Sequence, residues 1–194
     1  MFTRKKVLNI VLCVLTVCSA LSATAMASGS DKKTLEIGLD RGRTTALIAD
    51  EVRHQLVMLP YYNVFDWLEA EVLPDDTVVL HGQVTQPTTK SDAEARVRSL
   101  ESVAKVVNEI EVLPASPSDD RIRLAMYRAI FNSNSPLFQY SIRAVPPVHI
   151  IVKNGHVTLK GAVARDMDRQ LAYMAANGVP GVFEVRNDLM VENS

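Results

Sequence analysis

Residues 78–84 read VVLHGQV and residues 157–163 read VTLKGAV, which places Gly82 and Gly161 79 positions apart. Further on, SVAKVVNEIEV (102–112) and GVFEVRNDLMV (181–191) keep the same offset. In that register Val78, Leu80, Val84, Val106, Asn108 and Val112 meet Val157, Leu159, Val163, Val185, Asn187 and Val191, with no gap over 78–112. Self-similarity at a fixed offset is the signature of a duplicated unit. Between the copies lies LPASPSDD, where Pro114 and Pro117 mark a linker at 114–118. The modules therefore span 43–113 and 119–194.

The second copy sets the order of elements. SDDRIRLAMYRAIF (118–131) predicts a helix with Ser118 as its N-cap and Ile122, Met126, Ala129 and Ile130 on its buried stripe. VHIIVKNGHVTLKGAV predicts a hairpin, because Asn154-Gly155 supplies the positive φ pair of a type I′ turn. Across that turn Val152 meets Val157 and Ile150 meets Leu159 on an apolar face, while His149, Ile151, Lys153, His156, Thr158 and Lys160 fall on a mostly polar, open one. A second helix follows at 165–177, with Met167, Leu171, Met174 and Ala175 inward, and VFEVRNDLMV closes the sheet. That strand is reached by a helical crossover, so it runs parallel to its predecessor. The first copy repeats the order: a helix at 45–59 burying Ile48, Val52, Leu56 and Leu59, strands at 64–72 and 78–85, a helix at 91–102 and a last strand at 104–112. The expected fold is α+β: two tandem α-β-β-α-β modules, each a three-stranded mixed sheet covered on one face by two helices.

Arg4, Lys5 and Lys6, the apolar run from Val7 to about Leu21 and Ala25-Met26-Ala27 together have the layout of a secretory signal peptide, cleaved after residue 27. Residues 28–42 are expected to form a flexible lead-in. Both cysteines, Cys13 and Cys18, fall inside the leader, so the mature chain is expected to carry no disulfide and no thiolate metal site. The modules differ in charge: 43–113 holds six Lys/Arg and twelve Asp/Glu, net −6, whereas 119–194 holds nine and seven, net +2. Overall acidity argues against nucleic acid as a partner, and an anionic partner is expected to prefer the second module.

The pattern V-x-L-x-G-x-V, a helix, then G-V-x-x-V-x-N-x-L-x-V resembles the BON domain. The match is good in the second copy, at Gly161, Gly181, Asn187 and Val191; in the first, Gly82 and Asn108 are present and Ser102 stands in place of a glycine. The whole is similar to exported double-BON proteins of bacterial envelopes, including osmotically induced periplasmic ones. The resemblance implies a periplasmic, non-enzymatic protein that binds phospholipid surfaces and supports envelope integrity or stress tolerance. The motif residues themselves read as structural. Gly82 and Gly161 are expected to relieve crowding where strand meets helix, and Asn108 and Asn187 to tie a strand to a loop.

No pattern for catalysis, phosphate cradling or a cofactor occurs. His54, His81, His149 and His156 lack metal-ligand spacing, and Asp166 and Asp168 read as first-turn helix acids. Trp67 reads as a core or sheet-face aromatic. One stretch exceeds structural need: on the helix at 119–131, Leu124, Tyr127, Arg128 and Phe131 form a second stripe, with Arg121 one turn before. A helix apolar on two faces buries both or binds something. The stripe either packs on the first module or meets a partner, and that partner is a phospholipid surface or an envelope protein. The leading expectation is membrane contact through Arg121, Leu124, Tyr127, Arg128 and Phe131; the alternative is a periplasmic protein-docking module without lipid affinity.

Overall fold

Alternating strands, two glycine-bearing hairpins and crossover helices build two α-β-β-α-β modules. The computed structural model describes residues 30–143 and 145–192, with side chains from Thr44 onward; the leader and its cleavage site lie outside the described residues. Module one contains α1 (Ser30–Val57), β1 (Trp67–Val72), β2 (Thr77–Val84), α2 (Pro87–Arg98), β3 (Lys105–Asn108) and β4 (Glu111–Val112). Module two contains α3 (Pro117–Ile130), the single turn α4 (Phe138–Ser141), β5 (Val148–Lys153), β6 (His156–Val163), α5 (Asp166–Asn177) and β7 (Glu184–Val191). Residues 38–194 form one compact unit holding both modules. Helix α1 reaches back to Ser30, so 30–42, expected as a flexible lead-in, is helical.

Each sheet is mixed, as the crossover requires. β1 and β2 pair antiparallel, with Ala70 opposite Leu80, and β3 and β4 both pair parallel to β2. The expected single last strand is thus interrupted at Glu109-Ile110, where Ile110 turns into the core at 1% exposure. In module two β5 and β6 pair antiparallel in the predicted register, Val152 with Val157 and Ile150 with Leu159, and β6 and β7 pair parallel. Asn154 (φ 52°) and Gly155 (φ 77°) take the positive φ values of the expected turn. Asp119 adds what the turn signal alone does not contain. Its buried carboxylate accepts the amides of Asn154 and Gly155, both at 2.9 Å, and ties the start of α3 to the hairpin tip.

Two cores result. Ile48, Val52, Leu56, Val78, Leu80, Val84, Ala93 and Val97 pack in module one. Ile122, Met126, Ile130, Ile150, Val152, Val157, Leu159 and Ala172 pack in module two. Burying an aliphatic side chain of this size contributes about 1.5–3 kcal/mol. Val64 and Phe65 belong to the first module by sequence, yet they join the second core.

Three expectations need correction. The N-cap of α3 is Ser116, whose hydroxyl accepts the Asp119 amide at 3.2 Å, and Pro117 occupies the first helical position that its missing N–H suits. On α5 the inner face is Asp168, Ala172 and Ala176, while Met167 and Met174 are 61% and 60% exposed. Small residues bring the helix close to the sheet, and buried Asp168 is satisfied by the Tyr140 hydroxyl at 2.7 Å. The polar face of the β5–β7 sheet is also not wholly open. His149 and Ile151 are buried, and Trp67 of module one packs edge-on against His149 with ring centroids 5.1 Å apart.

Candidate functional site

The motif residues do structural work, at points shifted from those expected. Gly82 (φ 129°) and Gly161 (φ 110°) lie where one strand crowds the next. A Cβ on either would sit 1.9 Å from the Trp67 carbonyl oxygen or 2.0 Å from that of Pro147. The crowding is therefore strand against strand, not strand against helix. Asn108 and Asn187 bridge to helices instead of loops. Their amides donate to the carbonyls of Lys90 in α2 and Arg169 in α5, at 3.1 and 3.0 Å, and their side-chain oxygens accept the amides of Ile110 and Leu189. Lys90 and Arg169 are themselves 79 apart, so the duplication extends to the bond. Gly181 (φ 88°) allows the turn into β7.

The copies diverge where a buried polar group is used. The Thr85 amide is satisfied by the carboxylate of Asp66 at 2.6 Å, and the equivalent Ala164 amide by the hydroxyl of Tyr140 at 2.9 Å. Burial pushes the Asp66 carboxyl up, against the hydrogen bonds from Thr85 that favour its charged form. It pushes the Tyr140 hydroxyl up as well. These groups are buried and close the fold.

The stripe on α3 divides three ways. Phe131 is 5% exposed and belongs to the second core, so its side chain is not available to a membrane. Tyr127, 37% exposed, packs its ring 5.1 Å from Phe131 and 6.4 Å from Phe65 of the first module. Arg121, Leu124 and Arg128 remain outward, Leu124 at 52% exposure. At 100° per residue these three fall within one sector of the helix, on the side away from the core. Neither Arg121 nor Arg128 makes an ion pair among the described residues. Arg123, by contrast, is buried, and its terminal nitrogens donate to Asp120 at 2.5 Å and the Val152 carbonyl at 2.8 Å. A band of two free guanidinium groups around an apolar side chain is the outcome.

The module contact makes a second candidate region. Tyr62 and Trp67 enclose His149, and Lys160 lies over the Trp67 ring at 5.6 Å. Desolvation by burial lowers the His149 pKa to about 4, so the imidazole is neutral at pH 7. Burial likewise pushes the Tyr62 hydroxyl upward. Beside this contact a groove of about 470 Å³ runs over the polar sheet face between Lys153, Lys160 and Arg186. Lys153 is paired with Glu111 and Arg186 with Asp188, so the groove is largely neutralised from within. No cluster of three or more His, Cys, Asp or Glu able to hold a metal ion occurs among the described residues.

With this geometry in place the family follows from sequence. The profile of the BON domain matches residues 44–114 and 128–193. The chain belongs to the BON domain family. The two matched segments correspond to the two modules, and the family fits a non-enzymatic, envelope-associated protein. No curated protein matches the chain. Among solved structures, it is similar to a structural protein of the type III secretion system of Chlamydia trachomatis, CdsD, at 13% identity over 74% of this chain and 92% of that one, with a TM-score of 0.28. A structure of the C-terminal domain of CdsD gives 12% identity over 74% and 96%, with a TM-score of 0.27. Likeness at this distance carries nothing across to the BON modules. No helix among the described residues is long and apolar enough to cross a membrane.

Proposed function

We propose that this double-BON protein is a non-enzymatic component of the cell envelope that attaches reversibly to anionic phospholipid surfaces, supporting envelope integrity under stress. One observation carries the proposal: on the outward side of α3, Arg121 and Arg128 are exposed, without ion-pair partners among the described residues, and flank exposed Leu124. Guanidinium groups meet phosphates in a planar fork while an apolar side chain enters the headgroup region. Phe131 has no part in the contact, and Tyr127 lies at its margin. The field of the molecule supports the same orientation, since 119–194 is net +2 and 43–113 is net −6.

Each base near an anionic surface contributes about 1 kcal/mol, and the attraction fades within a Debye length of about 10 Å at 0.1 M salt. Two arginines therefore give weak, salt-sensitive attachment. The test is co-sedimentation with phosphatidylglycerol-containing vesicles at low salt. Arg121→Glu/Arg128→Glu should lower binding by at least about thirtyfold, the worth of removing two such charges before their reversal is added. The control pair Arg96→Glu/Arg98→Glu in module one should not. Equal binding by the α3 variant and wild type would remove this surface from consideration.

A further inference from the structure

The two copies finish their sheets differently. In each module the closing strand lies at the end of its sheet, paired on one side only among the described residues. In module one it is interrupted at Glu109-Ile110, and Glu94 of α2 reaches it, accepting the Asn108 side-chain amide at 3.0 Å and pairing with Arg98. Interruption and charge are means by which sheet edges are kept from pairing with other chains. In module two β7 runs unbroken over eight residues. At the offset of 79, Glu94 and Ala95 become Tyr173 and Met174, both exposed. With Asn187 they line a hollow of about 410 Å³ between α5 and β7. The other lining residues, Arg169 and Gln170, are bonded to Asp166 at 2.5 and 2.7 Å, so the uncommitted surface of the hollow is apolar.

The edge of β7 is also self-complementary. The Glu192 amide donates to the Val163 carbonyl, so even-numbered residues of β7 turn their main-chain groups toward β6. Val185, Asn187 and Leu189 turn theirs outward. A second β7 laid antiparallel must set outward residues against outward residues. Centred on Asn187, this alignment places Arg186 opposite Asp188 of the second copy on both sides of the axis, and Val185 opposite Leu189. Centred one residue earlier, it places Arg186 opposite Arg186 and Glu184 opposite Asp188. Centred one residue later, it places Asp188 opposite Asp188. Opposite charges facing each other across two strands stabilise the pair and like charges destabilise it, so charge selects the Asn187 register. Within one chain Arg186 Nε already donates to Asp188 Oδ1 at 2.8 Å. The terminal guanidinium nitrogens and Oδ2 make no bond among the described residues, which leaves each pair able to bond to the other. The Leu189 amide is held by Asn187 Oδ1 at 3.3 Å, past the usual range, and can exchange it for the Val185 carbonyl of the second copy.

We propose that the α5–β7 face binds a second copy of this chain, with the two β7 strands antiparallel about Asn187 and with Tyr173 and Met174 of each copy covering the hollow of the other. Residues directly opposite in an antiparallel pair share a face, so both helical layers lie on one side of a continuous sheet. The two-fold interface closes on itself and leaves no β7 edge free. None of its residues belongs to the lipid contact on α3, so it stands apart from that reading.

The test is sedimentation equilibrium of the chain from residue 28 onward, which contains the whole compact unit 38–194. The mean mass should climb toward that of two chains as concentration rises from about 1 μM to about 1 mM. Asp188→Arg and Arg186→Asp each set like charges across the axis, and Tyr173→Glu gives module two the residue of module one. Each should weaken dimerisation at least about tenfold. Mixed one to one, the Asp188→Arg and Arg186→Asp chains should dimerise again, because positions 186 and 188 are then complementary between chains although neither chain keeps its internal pair. Arg121→Glu/Arg128→Glu should dimerise as wild type does, which separates this face from the lipid contact. The mass of one chain at about 1 mM would overturn the proposal. So would wild-type dimerisation in either single charge variant, or a mixture no tighter than its parts.

Discussion

Acid should loosen the contact between the modules through one side chain, His149. Its ring is 3% exposed between Tyr62 and Trp67, its Nδ1 has no hydrogen-bond partner, and its pKa is lowered from 6.5 to about 4. A histidine depressed in the folded state is held neutral there but charges freely when unfolded. Its unfavourable linkage is therefore absent above pH 6.5, grows as pH falls through the window from 6.5 to 4, and levels off below. Each unit is about 1.4 kcal/mol, so the full window is about 3 kcal/mol and the span from pH 6.5 to 5 about 2. Asp66 runs the other way, since burial raises its pKa and its titration relieves a desolvated charge. Asp66 is common to wild type and to a His149 variant, so its contribution cancels in the comparison of the two. Trp67 is the single tryptophan and packs on His149, so its fluorescence reports unfolding at the relevant place. Denaturant unfolding should be recorded at pH 7.5, 6.5 and 5 for wild type and His149→Phe, which keeps a ring in the slot. Wild type should lose about 2 kcal/mol more than the variant between pH 6.5 and 5. Identical pH slopes would refute the assignment of the linkage to His149.

Two other perturbations test the fold. Leu159→Asp places an unpaired carboxylate in a fully buried position and should cost several kcal/mol, enough to unfold the second module, while Thr158→Asp on the half-covered opposite face should cost far less; equal melting temperatures would mean that the sheet faces are misassigned. Gly161→Ala should destabilise by at least about 2 kcal/mol, because the new Cβ meets the Pro147 carbonyl oxygen at 2.0 Å with φ at 110°; a calorimetric melt near that of wild type would show that the strand can shift to accept it.

What the chain declares locally, it declares well. The hairpin register follows from Asn154-Gly155 and the alternation on either side, because a one-residue slip would expose Ile150, Val152, Val157 and Leu159 together. The inner faces of α1 and α3 follow from aliphatic spacing alone. On α5 the same logic misleads, since Met167 and Met174 attract an apolar reading while the true inner face holds Asp168. That burial depends on Tyr140, 28 residues away, and no periodicity reports it. The candidate lipid surface was legible as a second stripe, but its division was not: Phe131 enters the second module's core, and the pairing of Tyr127 with Phe65 is set by a contact between copies. The same holds for His149, which looks like an open-face residue until Trp67 and Tyr62 cover it.

Val64 and Phe65 have a consequence for how the molecule is made. A chain emerging from the ribosome delivers residues 44–113 before 122–152 exist. The first copy can then close its own sheet, but this aliphatic–aromatic pair has nowhere to go until the later half appears. During that interval the nascent protein carries a sticky, uncovered tooth, the kind of feature that chaperones hold and that sister chains capture in error. The linker at 114–118 accordingly does not mark a place where the gene can be cut into two self-sufficient halves. Severed there, the early half keeps a tooth without a socket and the late half a socket without a tooth.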